Sequence, residues 1–161
     1  MSARSRLVAV LAVSLTVGAT VVSAQEEMTA ETMSAVSAAD LTFSPIEVPG
    51  FLSGMQIAIV HGDPSVADAP YTLRLLFPDG YAFPPHWHPR TENVTVLEGS
   101  FQLAMGDAFD EDALVTYAPG DYLYIEGEHP HFGKATGRTM IQLHGVGPFD
   151  ISVVEGQEMG Q

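Results

Sequence analysis

The chain has 161 residues, a length that corresponds to about one domain. It contains no cysteine, which excludes disulfide and thiolate chemistry. Its 20 acidic and 6 basic side chains give a formal net charge of −14, which argues against nucleic acid and against an anionic membrane surface as partners.

The first 24 residues have the pattern of a secretory signal peptide. Arg4 and Arg6 precede an apolar run over residues 7–22, and the small residues Val22-Ser23-Ala24 favour cleavage before Gln25. The alternative is a membrane anchor, but the run is short and too rich in Ser, Thr and Gly for a comfortable span. We therefore expect an exported protein, periplasmic or secreted, without stable membrane insertion. Cleavage would leave 4 basic and 20 acidic side chains, a net charge of −16.

The remaining chain divides into a linker, one barrel domain and a tail. Residues 25–45 are small and polar, which predicts a flexible linker with at most a short helical piece at 29–38. Strand patterns extend over residues 46–154, which we predict to be one barrel domain, and residues 155–161 form a C-terminal tail. The predicted strands are 55–60, 71–77, 86–88, 92–97, 101–105, 114–117, 122–125, 131–135, 139–146 and 149–154.

Turn signals separate nearly all of these strands. They include Gly62-Asp63-Pro64, Glu98-Gly99-Ser100 and Ala118-Pro119-Gly120-Asp121. Only residues 106–112 are able to form a helical turn. Many short strands without a helical period predict an all-β barrel or double sheet.

The stretch from Gly80 to Gly99 carries the clearest functional pattern, G-x5-H-x-H-x3-E-x6-G. His86 and His88 are two residues apart, so on a strand both side chains leave the same face. Glu92 follows a break at residues 89–91, where a turn can bring the next strand back beside the first. Two neutral imidazoles and a carboxylate that converge suit a divalent transition metal.

This spacing resembles the first motif of the cupin family, with both glycines, both histidines and the glutamate in place. Five residue types at fixed offsets should arise by chance in fewer than about one in ten thousand chains of this length. The resemblance covers residues 46–154. It implies a single-domain cupin double-stranded β-helix, which is a jelly-roll barrel.

The second cupin motif, G-x5-P-x-G-x2-H-x3-N, is matched in part. Gly120 takes its first glycine and His131 its histidine, whereas three other positions depart from it: Glu126, Glu128 and Ala135. His129 is a rival ligand because it lies two residues from His131 and so has the same strand parity. The spacing from Gly120 favours His131.

The predicted metal ligands are therefore His86, His88, Glu92 and His131. Three imidazoles and one carboxylate leave two positions of an octahedron open for water, a bidentate substrate or dioxygen. Fe, Mn, Ni, Cu and Zn all suit such a donor set. The alternative is a set of hydrogen-bonded core residues that hold no metal, which is disfavoured because buried histidines without partners are costly.

Three further polar features of the sequence are candidates for a functional role. Gln142 and His144 alternate on one predicted strand, and the pattern leaves open whether they face the interior or solvent. Arg74 could bind a substrate carboxylate inside the barrel, but a surface Arg paired with an acid is favoured. His61 lies in a turn and is predicted to be solvated.

Three functions fit this site. The first is a metal-dependent oxidoreductase, of dioxygenase or oxidase type, on a small oxygenated molecule; the second is a non-catalytic module that binds a small ligand. The third is an exported metal-holding protein without a fixed substrate. A catalytic base beside the metal would favour the enzyme, and an apolar pocket without one would favour the binding module. An exposed edge strand within residues 46–60 also predicts a homodimer.

Overall fold

The computed structural model describes residues 33–160, so the predicted signal peptide lies outside the described residues. Within this range the chain forms nine strands and two short 3-10 turns, Ala38–Asp40 and Glu111–Ala113, which confirms the predicted all-β fold. No described helix has the length and apolar character needed to cross a bilayer. The strands are β1 (Ser44–Pro45), β2 (Gln56–His61), β3 (Pro70–Phe77), β4 (Ala82–Trp87), β5 (Glu92–Met105), β6 (Val115–Tyr117), β7 (Tyr122–Ile125), β8 (His131–Val146) and β9 (Ser152–Val153).

Two long strands, β5 and β8, hold the barrel together because each one contributes to both of its sheets. Their first-sheet halves pair at residues 93–96 and 141–144, flanked by β7 on one side and by β3, β2 and β1 on the other. Their second-sheet halves pair at residues 100–105 and 131–136, flanked by β6 and by β4 and β9. All pairings are antiparallel, as expected for a jelly roll.

The interior is apolar because the strands alternate in the way that their sequence predicts. On β3, residues Tyr71, Leu73, Leu75 and Phe77 are buried, and the residues between them are half-buried. Side chains from both sheets join in one core, in which the Phe83 and Phe101 rings stack with their centroids 5.6 Å apart.

The structure corrects the prediction of a turn at Glu98-Gly99-Ser100. Residues 92–97 and 101–105 belong to one strand, β5, whose pairing with β8 shifts between Val96 and Ser100. This shift inserts one extra residue into β5. As a result, the side chains of β5 that face the core have even residue numbers before the shift, such as Val96, and odd numbers after it, such as Phe101. Gly99 permits this bulge, since its φ is +79° and a Cβ there would lie 2.4 Å from the Arg138 carbonyl oxygen. Residues 131–135 and 139–146 are likewise one strand, β8.

The strand predicted at residues 86–88 was also misplaced. β4 begins at Ala82 and continues through Pro84 and Pro85, where its pairing with β8 gains one residue between Phe83 and His86. Proline has no amide hydrogen to donate, so a bulge is a position in a strand that accepts it. The turn at residues 89–91 does not bring β5 beside β4, because β8 lies between the two strands.

The outer face of the barrel carries Gln142, His144 and Arg74. Gln142 and His144 alternate with buried Ile141 and Leu143, and so they point away from the core. Arg74 is on the same outer face, where its Nε donates to Gln142 Oε1 at 3.2 Å, so it is neither inside the barrel nor paired with an acid. His61 is exposed, as predicted, but it is the last residue of β2 and does not belong to a turn.

Candidate metal centre

Four buried polar residues converge at one end of the core. His86 on β4 lies directly opposite His131 on β8 in the strand register. His88 comes one residue after β4 ends, and Glu92 is the first residue of β5. Their exposed fractions are 6%, 4%, 5% and 2% for His86, His88, Glu92 and His131 respectively. The second sheet therefore supplies His86 and His131, and the beginning of β5 supplies the carboxylate.

The distances between donor atoms suit a single metal ion. Glu92 Oε2 lies 3.3 Å from His88 Nε2 and 3.3 Å from His131 Nε2. One ring nitrogen each from His86, His88 and His131 lies within 4.8 Å of the other two. Two nitrogens bound to one metal at about 2.1 Å are at most about 4.2 Å apart, so small ring movements would complete the shell. The three buried histidines could therefore hold a metal ion.

Backbone carbonyls orient all three rings. The Nδ1 atoms of His86 and His131 lie 2.7 and 3.0 Å from the carbonyl oxygens of Pro84 and His129, each two residues earlier in the chain. His88 Nδ1 lies 2.7 Å from the carbonyl oxygen of Asp150. Because a carbonyl only accepts, each Nδ1 carries the proton and donates it, which leaves the Nε2 lone pair of a neutral ring available to a metal.

The surroundings of the cluster shift the pKa values of His86, His88 and Glu92 in the directions that metal binding requires. Burial lowers the pKa of His86 well below the usual 6.5, and charge on His131 and His88 lowers it further. Burial also lowers the pKa of His88, although nearby Glu92 opposes this. Burial by itself raises the pKa of Glu92, but His88 and His131 outweigh it, so the pKa lies below the ordinary value. His86 and His88 are therefore neutral near neutral pH, and Glu92 is ionised.

The structure separates the two histidines that compete for the fourth position. His131 is buried beside His86, with ring centroids 4.4 Å apart. His129 is exposed, and its Nδ1 lies 2.9 Å from the Gly127 carbonyl oxygen. His131 is therefore the residue that the fold brings to the cluster.

A cavity extends from the cluster into the core. The volume that the centres of water molecules can occupy in it is about 40 Å³, enough for a few waters or a small ligand. Of its 17 lining residues, four are His86, His88, Glu92 and His131, and the other 13 are apolar. Within the described residues, the centre therefore forms the only polar part of the side-chain wall of this cavity.

The chain after β8 also positions the centre, which the sequence analysis did not predict. Phe149 stacks on the His88 ring with centroids 4.8 Å apart and an interplanar angle of 13°. Asp150 supplies the carbonyl that orients His88, and β9 pairs with β4 at His86 and Trp87. The sequence around Phe149 and Asp150 does not indicate this role, because the role depends on the pairing of β9 with β4, which lies some 60 residues earlier in the chain.

Comparison with known proteins agrees with this architecture. Residues 73–146 match the family model described as the cupin domain, and no curated protein matches the sequence significantly. The polyketide cyclase RemF from Streptomyces resistomycificus has a similar structure, with a TM-score of 0.63 and 22% identity over 78% of this chain and 88% of that one.

Two further solved structures show the same fold. A putative acetylacetone dioxygenase from Methylibium petroleiphilum has a TM-score of 0.60 and 17% identity, over 77% of this chain and 82% of that one. KdgF from a Halomonas species has a TM-score of 0.51 and 22% identity, over 69% and 93%. The fold is the cupin jelly roll, and the family match together with these likenesses supports the cupin family for this chain.

Proposed function

We propose that this protein binds one divalent transition metal through His86, His88, Glu92 and His131 and uses it as an oxidoreductase on a small molecule held in the adjoining cavity. The observation that carries the proposal is the convergence of three buried histidines on the wall of that cavity, with the Glu92 carboxylate 3.3 Å from two of them. Among residues 33–160, no other wall side chain offers a nitrogen or oxygen atom to a ligand.

The contact between His88 and Glu92 supports a metal over a purely hydrogen-bonded core. His88 Nδ1 donates to the Asp150 carbonyl, so in the neutral ring Nε2 carries a lone pair. That lone pair faces a carboxylate oxygen at 3.3 Å. Two lone pairs at this distance repel unless a cation or a proton lies between them, and burial disfavours a second proton on His88.

Metal loading tests this part of the proposal. Metal-free protein is incubated in turn with Fe(II), Mn(II), Ni(II), Cu(II) and Zn(II), and bound metal is measured by elemental analysis after desalting. We expect close to one ion per chain for at least one of these metals. Retention of none of them would end the proposal.

Oxidoreductase activity is the finer part of the proposal. A redox-active metal would supply dioxygen or electron-transfer chemistry, while the apolar walls hold the substrate and keep water out. One of the similar folds is described as a putative acetylacetone dioxygenase, which is compatible with this chemistry but has only 17% identity. Oxygen consumption and product mass, measured with loaded protein and a panel of small oxygenated compounds, test it.

A non-catalytic binding module is the second candidate, and one observation favours it. Apart from the four proposed ligands, no side chain of the described part of the chain that lines the cavity can donate or accept a proton. A catalysed reaction would therefore need Glu92, or no general acid or base at all. Saturable binding without oxygen consumption or product across the panel would establish this alternative.

We also propose export and processing. The basic residues Arg4 and Arg6, the apolar run at 7–22 and the small residues before Gln25 support it. Mass analysis of the exported protein should find Gln25 at the N-terminus, and intact Met1 on protein retained in the cytoplasm would contradict the proposal.

A homodimer through the first strands is the last part of the proposal. β1 pairs with β2 only at Gln56 and Ile57, so in the described chain residues 58–61 have no strand partner on that side. An unpaired strand edge of this kind favours pairing with a second copy. Light scattering should give twice the chain mass, and a monomer at high concentration would refute the dimer.

A further inference from the structure

The walls of the cavity restrict what can bind beside the metal centre. Phenylalanine rings form part of the lining, including Phe51, Phe83 and Phe149, together with aliphatic residues such as Leu75 and Val94. The backbone groups of the surrounding strands pair with each other in the sheets. Along the wall that residues 33–160 form, a ligand therefore finds no side-chain nitrogen or oxygen to hydrogen-bond beyond the centre itself.

A ligand with many hydroxyl groups is unsuited to such walls. Each hydroxyl that leaves water for an apolar surface without a new partner loses its hydrogen bonds. Most of the oxygens of a sugar or a polyhydroxy acid would therefore have no hydrogen-bond partner in the cavity. An apolar body would instead gain from contact with the walls.

Charge restricts the ligand further. A divalent ion held by three neutral imidazoles and the Glu92 carboxylate leaves a net charge of +1 at the end of an apolar cavity. One negative charge on the ligand would neutralise it, whereas two would bury an excess negative charge. The negative charge of the whole chain acts at longer range and is screened by salt.

From these three features we propose that the cavity selects small monoanions that have one oxygen-donor end, bound at the metal, and an otherwise apolar body. This inference rests on the proposed metal site, and it narrows the substrate or ligand class of that site. The cavity volume is about 40 Å³, and this small volume favours ligands with few heavy atoms.

Three four-carbon acids test the proposal, because they differ in polarity and charge but little in length. Butanoate is an apolar monoanion, threonate is a monoanion with three hydroxyl groups, and succinate is a dianion. Isothermal titration calorimetry of each acid into the metal-loaded protein gives the affinities. We expect butanoate to bind at least about tenfold more tightly than threonate and succinate. Equal or tighter binding of either polar acid, or no binding of butanoate, would overturn the proposal.

A matched pair of variants places the ligand in the cavity. Val94 and Val96 lie on the same strand and are both 1% exposed, but only Val94 lines the cavity. Val94→Thr adds a hydroxyl group to the wall and should lower the butanoate preference over threonate several-fold. Val96→Thr adds the same group elsewhere in the core and should leave the preference unchanged. If the preference for butanoate over threonate were unchanged in both variants, the ligand would bind outside this cavity.

The metal content, measured first, distinguishes a failure of the proposed function from a failure of the proposed ligand class. A protein that holds no metal would contradict the proposed function, and with it this inference. A protein that holds one ion but prefers threonate or succinate would contradict only the inference.

Discussion

The six histidines form two groups of three, one buried and one exposed, and the groups differ more in burial than in the hydrogen bonds of their rings to nearby backbone carbonyls. His86, His88 and His131 are buried around one point, whereas His61, His129 and His144 are exposed. His129 and His131 both place Nδ1 against a carbonyl two residues earlier in the chain. That local contact is therefore not sufficient for a metal site, and what distinguishes the buried group is the convergence of its rings beside Glu92.

The largest expected effect comes from exchanging one histidine of each group for alanine. His131→Ala should lower metal affinity by more than about 100-fold, because loss of a supporting partner alone typically costs about 10- to 100-fold. His129→Ala should leave the affinity unchanged, because its ring is outside the cluster. Competition against a chelator of known affinity measures both. The reverse result would show that His129 is the ligand.

A charge change at Glu92 should have a somewhat smaller effect. Glu92→Gln keeps the shape and one ligand oxygen but removes the charge, and we expect metal affinity to fall by about 10- to 100-fold. Glu126→Gln is the matched control, since Glu126 is exposed. If both variants kept wild-type affinity, Glu92 would have no role in binding the metal.

Removing the aromatic ring that packs against His88 should lower metal affinity by less than the change at Glu92. Phe149→Leu removes the stacking partner of His88 while keeping an apolar residue, and it should weaken metal binding by about tenfold. Phe109→Leu is the control, because Phe109 packs against Phe132 and does not line the cavity. Equal losses in the two variants would indicate general destabilisation of the barrel.

The smallest expected effect is the response of metal affinity to mild acid. Three imidazoles with the ordinary pKa of 6.5 would lose about eightfold in affinity at pH 6.5 through competition with protons. The pKa values of His86 and His88 are lowered by burial, so they remain neutral at this pH and the loss should be smaller than eightfold. Affinities measured between pH 8 and 6.5 would contradict this if they fell by eightfold or more.

The same pKa shifts predict the direction of a stability change in the metal-free protein. Below pH 6.5 the unfolded chain binds protons at His86 and His88 that the folded chain excludes. The free energy of unfolding should therefore decrease as the pH falls below 6.5. Urea denaturation at pH 7.5 and 5.5 measures it, and a higher stability at pH 5.5 would be inconsistent with buried neutral rings.

The amino-acid sequence was sufficient to predict the fold class and the residues of the cluster. Alternation along segments such as Tyr71–Phe77 indicates strands with one buried face. The resemblance to the first cupin motif groups His86, His88 and Glu92, and the spacing from Gly120 in the second motif selects His131. These are local patterns, and local geometry follows them because side chains alternate across a strand.

Tertiary structure alone decided the bulges and the support of His88. Whether Glu98-Gly99-Ser100 forms a turn or continues as a strand depends on β8. This strand pairs with β5 both before and after these three residues. Asp150 and Phe149 reach His88 because β9 returns to the edge of β4. The apolar cavity likewise arises only when both sheets close on each other. Such long-range contacts leave no local periodicity, so a single sequence indicates which residues can bind a metal but not what surrounds them.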